Sequence, residues 1–410
     1  MNFRRNYLFA VGITGLLATV AGAVSRPDYY TAGFYTRGSD AAAYIDQGGV
    51  LDPFYVPVQN WSFLPRVTLT ATQYDNFFMT DQNEQSSTSL RLVPGAMLIY
   101  GRPEHNHLYA DTAASLPLSG GSDDEPAYMI TAGGVYKTGK TQVSGRVGHR
   151  RMEHANIAVG ARVVQQDYTG DAGLEYRVST KTSLGLKGSV EINDFGSQAY
   201  EDYNRYYGAG RFYHRLNEKS EWFLQAGAGL DDMSSAQSGV YGDAMFYDMS
   251  VGMRGKPTPK TSVSGRVGYR WRTFDDPLIS DVTGWIANLG GDVTPFGFST
   301  FSAELLADIR PDIARGGDSV IDRRLTVGVN RRLFTERLRG DASVMFGTID
   351  LYGPGGRMED EYWGFNLGLD WWTRKNLSFG GAYSYTDRWS KSGGTGYETG
   401  MWMLRMSWNY

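Results

Sequence analysis

The chain has 410 residues, 52 of them glycine and none cysteine, with aromatic residues at 14% and a formal charge of −4. The lack of cysteine excludes a disulfide-stapled scaffold and thiol chemistry. The acidic balance, −4 − 2 = −6 once Arg4 and Arg5 are removed with an exported leader, offers nothing to a nucleic acid. Mean hydropathy is −0.38 and apolar side chains are scattered singly among polar ones, the distribution of half-buried strands and not of a soluble core packed from Leu, Ile and Val.

In chain order, the one long apolar run comes first. Arg4 and Arg5 precede YLFAVGITGLLATVAGA, which closes on small residues. A basic head, an apolar stretch and an Ala-x-Ala end predict a secretory signal peptide over residues 1–23, too short for a typical membrane anchor. Residues 24–60 come next as a separate N-terminal segment. In it SDAAAYIDQ predicts a short helix capped by Ser39 or Asp40, and LDPFYVPVQN reads as extended. This segment either lies in the periplasm or fills the lumen of the strand-rich region beyond residue 60, and both readings stay open.

From residue 61 to residue 410 the chain keeps a period of two. Val143, Gly145, Val147 and His149 alternate with Gln142, Ser144, Arg146 and Arg150; Trp363, Phe365, Leu367, Leu369 and Trp371 oppose Asn366 and Asp370. KTQVSGRVGHR at Lys140 has a near twin, KTSVSGRVGYR, at Lys260. Short turns at KTGK, STK, LNEK, KPTPK, TPFG, FTER and TRKN recur about every 39 to 40 residues, so the twins stand three repeats apart in a regular array. Propeller blades of that period would show G-H and W-D signatures, and helical repeats would show a 3.6-residue rhythm. Neither is present, so each repeat is a pair of long strands joined by a tight turn.

The pattern predicts an all-β fold: a transmembrane antiparallel up-and-down β-barrel of about 18 strands (roughly 16 to 18), with short periplasmic turns and longer outer loops such as SGGSDDEP and RPDIARGGDS. The strands are uniformly long, as the about 9 to 11 residues of a tilted membrane strand require, whereas globular strands run about 5 or 6. The longest connection is expected around Glu153–Val164, where NIAVGARVV is apolar enough to fold inward. Aromatic pairs near strand ends, such as Tyr269 with Trp271 and Tyr383 with Tyr385, suit the interfacial girdles of a membrane barrel. In the last strand Trp402, Leu404, Met406, Trp408 and Tyr410 share one face, resembling the terminal signal read by the outer-membrane barrel assembly machinery, with Tyr410 in place of the usual Phe.

The stretch PRVTLTATQYDNFFMT, Pro65 to Thr80, with Tyr74, Asp75, Asn76 and Phe77 as the matching positions, resembles the opening strand of the putative β-barrel porin-2 group and related exopolysaccharide-associated outer-membrane barrels. The resemblance implies an outer-membrane barrel of a Gram-negative bacterium, a transport role and no catalytic residues.

If the apolar face meets lipid, the opposite face lines the lumen. It carries Arg146, Arg150, Lys187, Arg266, Arg270, Arg272, Arg324, Arg332, Arg339 and Arg405, opposed by Asp171, Glu175, Glu191, Asp292, Glu304, Asp308, Asp341 and Asp370. Barrels of about 16 to 18 strands leave an aqueous channel. The arginines either contact anionic or sugar-like solutes or neutralise neighbouring carboxylates and stiffen the wall. The expectation is passive passage of small hydrophilic solutes, linked to surface polysaccharide; the alternative is a non-conducting surface barrel with an adhesive or structural role. Expected partners are outer-membrane lipid and lipopolysaccharide, the assembly machinery, and small polar solutes or oligosaccharide.

No enzyme is expected: His105, His107, His149, His154 and His214 read as turn, strand-end or loop residues without a catalytic motif. Neither a metal nor a cofactor is expected. His105 and His107 are two imidazoles without a third ligand, and loop acids such as Asp275, Asp276 and Asp281 suit solvent better than calcium.

Overall fold

The computed structural model describes residues 61–76, 84–101, 106–119, 126–156, 161–196, 200–233, 243–277, 279–312, 319–353, 356–374, 376–391 and 396–409. The signal peptide, the segment 24–60, Phe77, His105 and Tyr410 lie outside them.

Eighteen strands succeed one another: β1 Trp61–Tyr74, β2 Ser87–Gly101, β3 His107–Ser119, β4 Ala127–Lys137, β5 Thr141–Asn156, β6 Ala161–Arg177, β7 Thr182–Phe195, β8 Tyr203–Asn217 and β9 Ser220–Met233, then β10 Ala244–Thr258, β11 Thr261–Phe274, β12 Val282–Phe296, β13 Ser299–Pro311, β14 Ser319–Arg332, β15 Leu338–Gly353, β16 Gly356–Trp372, β17 Leu377–Ser390 and β18 Tyr397–Asn409. Each pairs antiparallel with the next, and β1 pairs with β18 from Arg66↔Asn409 to Tyr74↔Met401, so the sheet closes on itself. Closure removes the free edge that lipid could not hydrogen-bond. No helix among the described residues is long and apolar enough to cross a membrane; the crossing elements are strands. At 11 to 17 residues they meet or exceed the span of about 9 to 11 that the bilayer needs, and the ends of the longer ones stand clear of it.

Alternation sorts the two faces. Val143 and Val147 on β5, Leu184 and Leu186 on β7, Val251 on β10 and Leu404 on β18 are all exposed, as lipid-facing residues are in the isolated chain. Their alternates, such as Ser183, Glu191, Ser250 and Met403, are buried. Aromatic pairs decorate the outer face: Tyr269 meets Trp285 edge-on at 5.5 Å and Tyr383 lies 4.4 Å from Trp402. The twin segments are β5 and β11, six strands apart, and they place Arg146 and Arg150 on the one and Arg266 and Arg270 on the other in the same positions.

Two expectations need correction. The connection expected over Glu153–Val164 is mostly strand: β5 runs to Asn156 and β6 begins at Ala161, with Glu153↔Val164 and Asn156↔Ala161 as ladder pairs. The apolar character of that stretch reflects two long strands. The opening strand also starts earlier and ends sooner than the motif suggested, stopping at Tyr74 and leaving Asp75 and Asn76 beyond it.

Candidate channel lining

Register places every one of the eighteen charged candidates on the face opposite the exposed apolar residues. Arg146 of β5 bonds Asp171 of β6, its ladder partner. Arg150 Nε donates to Asp167 at 2.8 Å. On β11, Arg266 reaches Asp248 of β10 at 3.4 Å, and Arg270 reaches both Asp248 at 3.4 Å and Asp308 of β13 at 2.8 Å. Arg272 bonds Ser319 Oγ at 2.7 Å and lies 3.3 Å from Asp231. Glu175 accepts from Arg254 at 3.1 Å, and Glu191 from the Tyr203 hydroxyl at 3.1 Å. Lys187 lies over the Tyr207 ring at 6.0 Å.

Arg405 and Asp370 show how such a pair spans a strand. Asp370 of β16, Gly380 of β17 and Arg405 of β18 share one rung, and Arg405 Nε donates to Asp370 Oδ1 at 3.0 Å over the glycine. A Cβ on Gly380 would stand 2.2 Å from Asp370 Oδ1, so any side chain there would displace the pair. Arg324, Asp292, Glu304, Arg339 and Asp341 lie on the same inner face; Arg332, the last residue of β14, is exposed at the turn end of the barrel.

The inner face carries further charges that the sequence reading does not include. Arg66–Asp111 at 2.7 Å, Arg205–Asp231 at 2.6 Å, Arg388–Asp360, Arg254–Glu221 and the Tyr362 hydroxyl on Asp322 at 2.8 Å all join the lining. The same alternation carries them and is the signal that could have found them. Arg211 differs from the others: its bonds go to Gln225 Oε1 at 2.6 Å and the Tyr213 hydroxyl at 3.2 Å.

The lining is not charged throughout. Towards the long-loop end the inner face carries apolar clusters, Val163 with Phe195, Tyr203 and Met233, and Val320 with Met345, Ile349, Leu351 and Tyr362. Apolar side chains also lie on the inner face at the turn end, Met97 and Ile99 on β2 and Phe223 on β9 among them. Among the described residues no group of three His, Asp or Glu stands ready for a metal. His149 lies inside β5, on the outer face, stacked on Tyr168 at 4.1 Å, and not in a turn or at a strand end. His107 begins β3 on the inner face, and His214 sits 5.9 Å from Trp222.

A closed antiparallel barrel with a lipid-compatible exterior, aromatic girdles and a charged interior defines a bacterial outer-membrane β-barrel protein. The chain belongs to the family described as Putative beta-barrel porin 2, whose model matches residues 54–410. Solved structures similar to it include OccAB2 of Acinetobacter baumannii, with a TM-score of 0.50, 12% identity, and coverage of 86% of this chain and 98% of that one. OpdK of Pseudomonas aeruginosa gives a TM-score of 0.48 at 10% identity, over 85% of this chain and 99% of that one. At 12% identity the likeness to OccAB2 is one of fold alone. No curated protein matches the chain.

Proposed function

We propose that this barrel is a passive, non-enzymatic channel for small hydrophilic solutes, sugar-like or anionic. The observation that supports it most is the belt of paired charges on the inner face, from Arg146–Asp171 through Arg266–Asp248–Arg270 to Arg405–Asp370. A wall that served only packing would be filled at least as well by apolar residues, because desolvating an ion pair offsets most of its attraction. In a barrel of this strand number, a charged inner wall suits a polar passage. The link to surface polysaccharide rests on the family resemblance.

A second reading, a non-conducting surface barrel, is favoured by the near-complete burial of inner residues such as Thr68, Asp231 and Arg272. Single-channel recording of the refolded barrel in a planar bilayer, after its folding is confirmed by heat-modifiable migration, decides between them. Stepwise conductance is expected. Silence from the folded barrel, both intact and lacking residues 24–60, would overturn the channel.

A further inference from the structure

One join in the wall differs from the rest. The ladder between β12 and β13 stops at Ala287↔Ala307, although β12 continues to Val282 and β13 to Pro311. Among the described residues it is the only place where neighbouring strands both run on unpaired for several residues. Above the last rung β13 passes on the lumen side of β12: Ile309 of β13 and Ile321 of β14, outward by alternation, pack on the inward-facing Val282 and Ile286. Gly284 permits the overlap, since a Cβ there would lie 3.3 Å from Ile309 Cδ1. Side chains of β11 reach carbonyls at this end of β13. Arg270 donates to Ile309 O at 2.9 Å and Arg272 reaches Arg310 O at 3.5 Å.

The seam lies at an informative depth. Trp285, exposed on the outer face between Gly284 and Ile286, pairs with Tyr269 in the aromatic girdle, which marks the membrane interface. Directly below, on the lipid side, is a depression of about 580 Å³ where Gly265, Gly291 and Ala303 are small between Met253, Leu289 and Leu305. Leu289↔Leu305 stands two rungs beneath the last pair of the ladder, so the depression begins just below the seam on the outer face.

We propose that the β12–β13 seam is a lateral portal through which the alkyl chain of a single-chain amphiphile passes between the lumen and the outer leaflet, with the depression below it as that chain's seat. Opening the wall anywhere else breaks backbone hydrogen bonds that hydrocarbon cannot replace. At the seam no ladder bond parts: the contacts among Val282, Ile286, Ile309 and Ile321 do, which an alkyl chain restores in kind, together with the inner-face side-chain bonds of Arg270 to Asp308 and Ile309 O and of Arg272 to Arg310 O and Ser319. The polar head stays on the lumen side, beside Arg270 and Arg272. This route is separate from the aqueous passage and does not depend on it.

The test uses the refolded full-length barrel in lipid nanodiscs, irradiated with dodecanoate bearing a terminal diazirine, and maps adducts by peptide mass spectrometry. Adducts are expected to concentrate on Leu289 and Leu305 and on Ile286 and Ile309, and to fall several-fold under excess plain dodecanoate. The chain has no cysteine, so a Gly284→Cys/Ile309→Cys pair can lock the seam alone: oxidation should abolish the seam adducts, spare the groove adducts, and be reversed by reduction. An even spread of adducts around the outer face, or identical maps for the oxidised and reduced pair, would overturn the portal. If the cysteine pair does not fold, Ala303→Trp, which fills the seat from the lipid side, must remove the groove adducts, and their persistence sinks the proposal.

Discussion

Asp75 and Gly400, 325 residues apart, close the barrel's seam: Asp75 Oδ1 accepts from Gly400 N–H, and Asp75 N–H donates to Gly400 O at 3.1 Å. Asn76 adds a donation from Nδ2 to Glu398 O at 2.8 Å, and Thr399 Oγ1 donates to Asn76 O at 3.1 Å. The motif that carried the family resemblance thus prolongs the β1–β18 ladder past Tyr74↔Met401 and works as a clasp between the first and last strands.

Asp75→Ala removes the clasp's carboxylate and leaves two backbone donors short, since Asn76 N–H also donates to Asp75 at 2.7 Å. A loss of about 1–3 kcal/mol is expected, against about 1 kcal/mol for Asn76→Ala. Urea unfolding of the barrel in lipid vesicles, followed by tryptophan fluorescence, measures both. Equal midpoints for Asp75→Ala and the parent would show that the clasp is idle.

The rung Asp370–Gly380–Arg405 gives a second test. Arg405→Ala strands a carboxylate whose side chain is 6% exposed, and breaking one side of a buried pair costs about 3–5 kcal/mol. The joint change Asp370→Leu/Arg405→Met should cost much less, because no charge is left behind. Gly380→Val, which deletes neither partner, should also destabilise by pushing the pair apart. A double variant no better than Arg405→Ala would contradict this account.

Depth on the lipid face is the third. Leu404 is 67% exposed at mid-strand on β18, and Leu216 is 58% exposed beside the β8–β9 turn. Leu404→Arg should cost about 2–4 kcal/mol and Leu216→Arg about 0–1, as charge on a membrane barrel does at the midplane and near an interface. Equal costs, read from folding titrations into vesicles, would place one of these residues off the membrane.

The wall was legible in the sequence because one rule generates it: a two-residue period repeated through long strands, with turns at a near-constant spacing. β5 and β11 show the rule most openly, since valines mark one face and arginines the other. On β8 it fades. Tyr203, Tyr207 and Tyr213 face inward while Tyr206 and Phe212 face outward, so hydrophobicity does not separate the faces, and Arg205 and Arg211 do not stand out between them. The β12–β13 seam was illegible for another reason. Ile309 and Ile321 alternate like any lipid-facing residue, and only their packing on β12 shows that this end of the hairpin has moved inside the wall.

Charge compensation separates two inner arginines that alternation makes alike. Arg270 shares its charge with Asp248 and Asp308. Arg211 bonds a neutral amide and a hydroxyl, and its guanidinium carbon lies 5.2 Å from the centre of the Phe223 ring. If the barrel conducts as proposed, the field Arg211 adds to the passage is less cancelled, and nearby low-dielectric wall strengthens it. Arg211→Gln should therefore move the reversal potential under a salt gradient towards cation preference. Arg270→Gln frees two carboxylates and should move it the same way, but with lost stability and an altered conductance, because Ile309 O loses its donor as well. Both shifts should shrink as ionic strength rises, since screening shortens the reach of an uncompensated charge. An Arg211→Gln channel with the parent's selectivity at low salt would show that this guanidinium does not face the permeating ions.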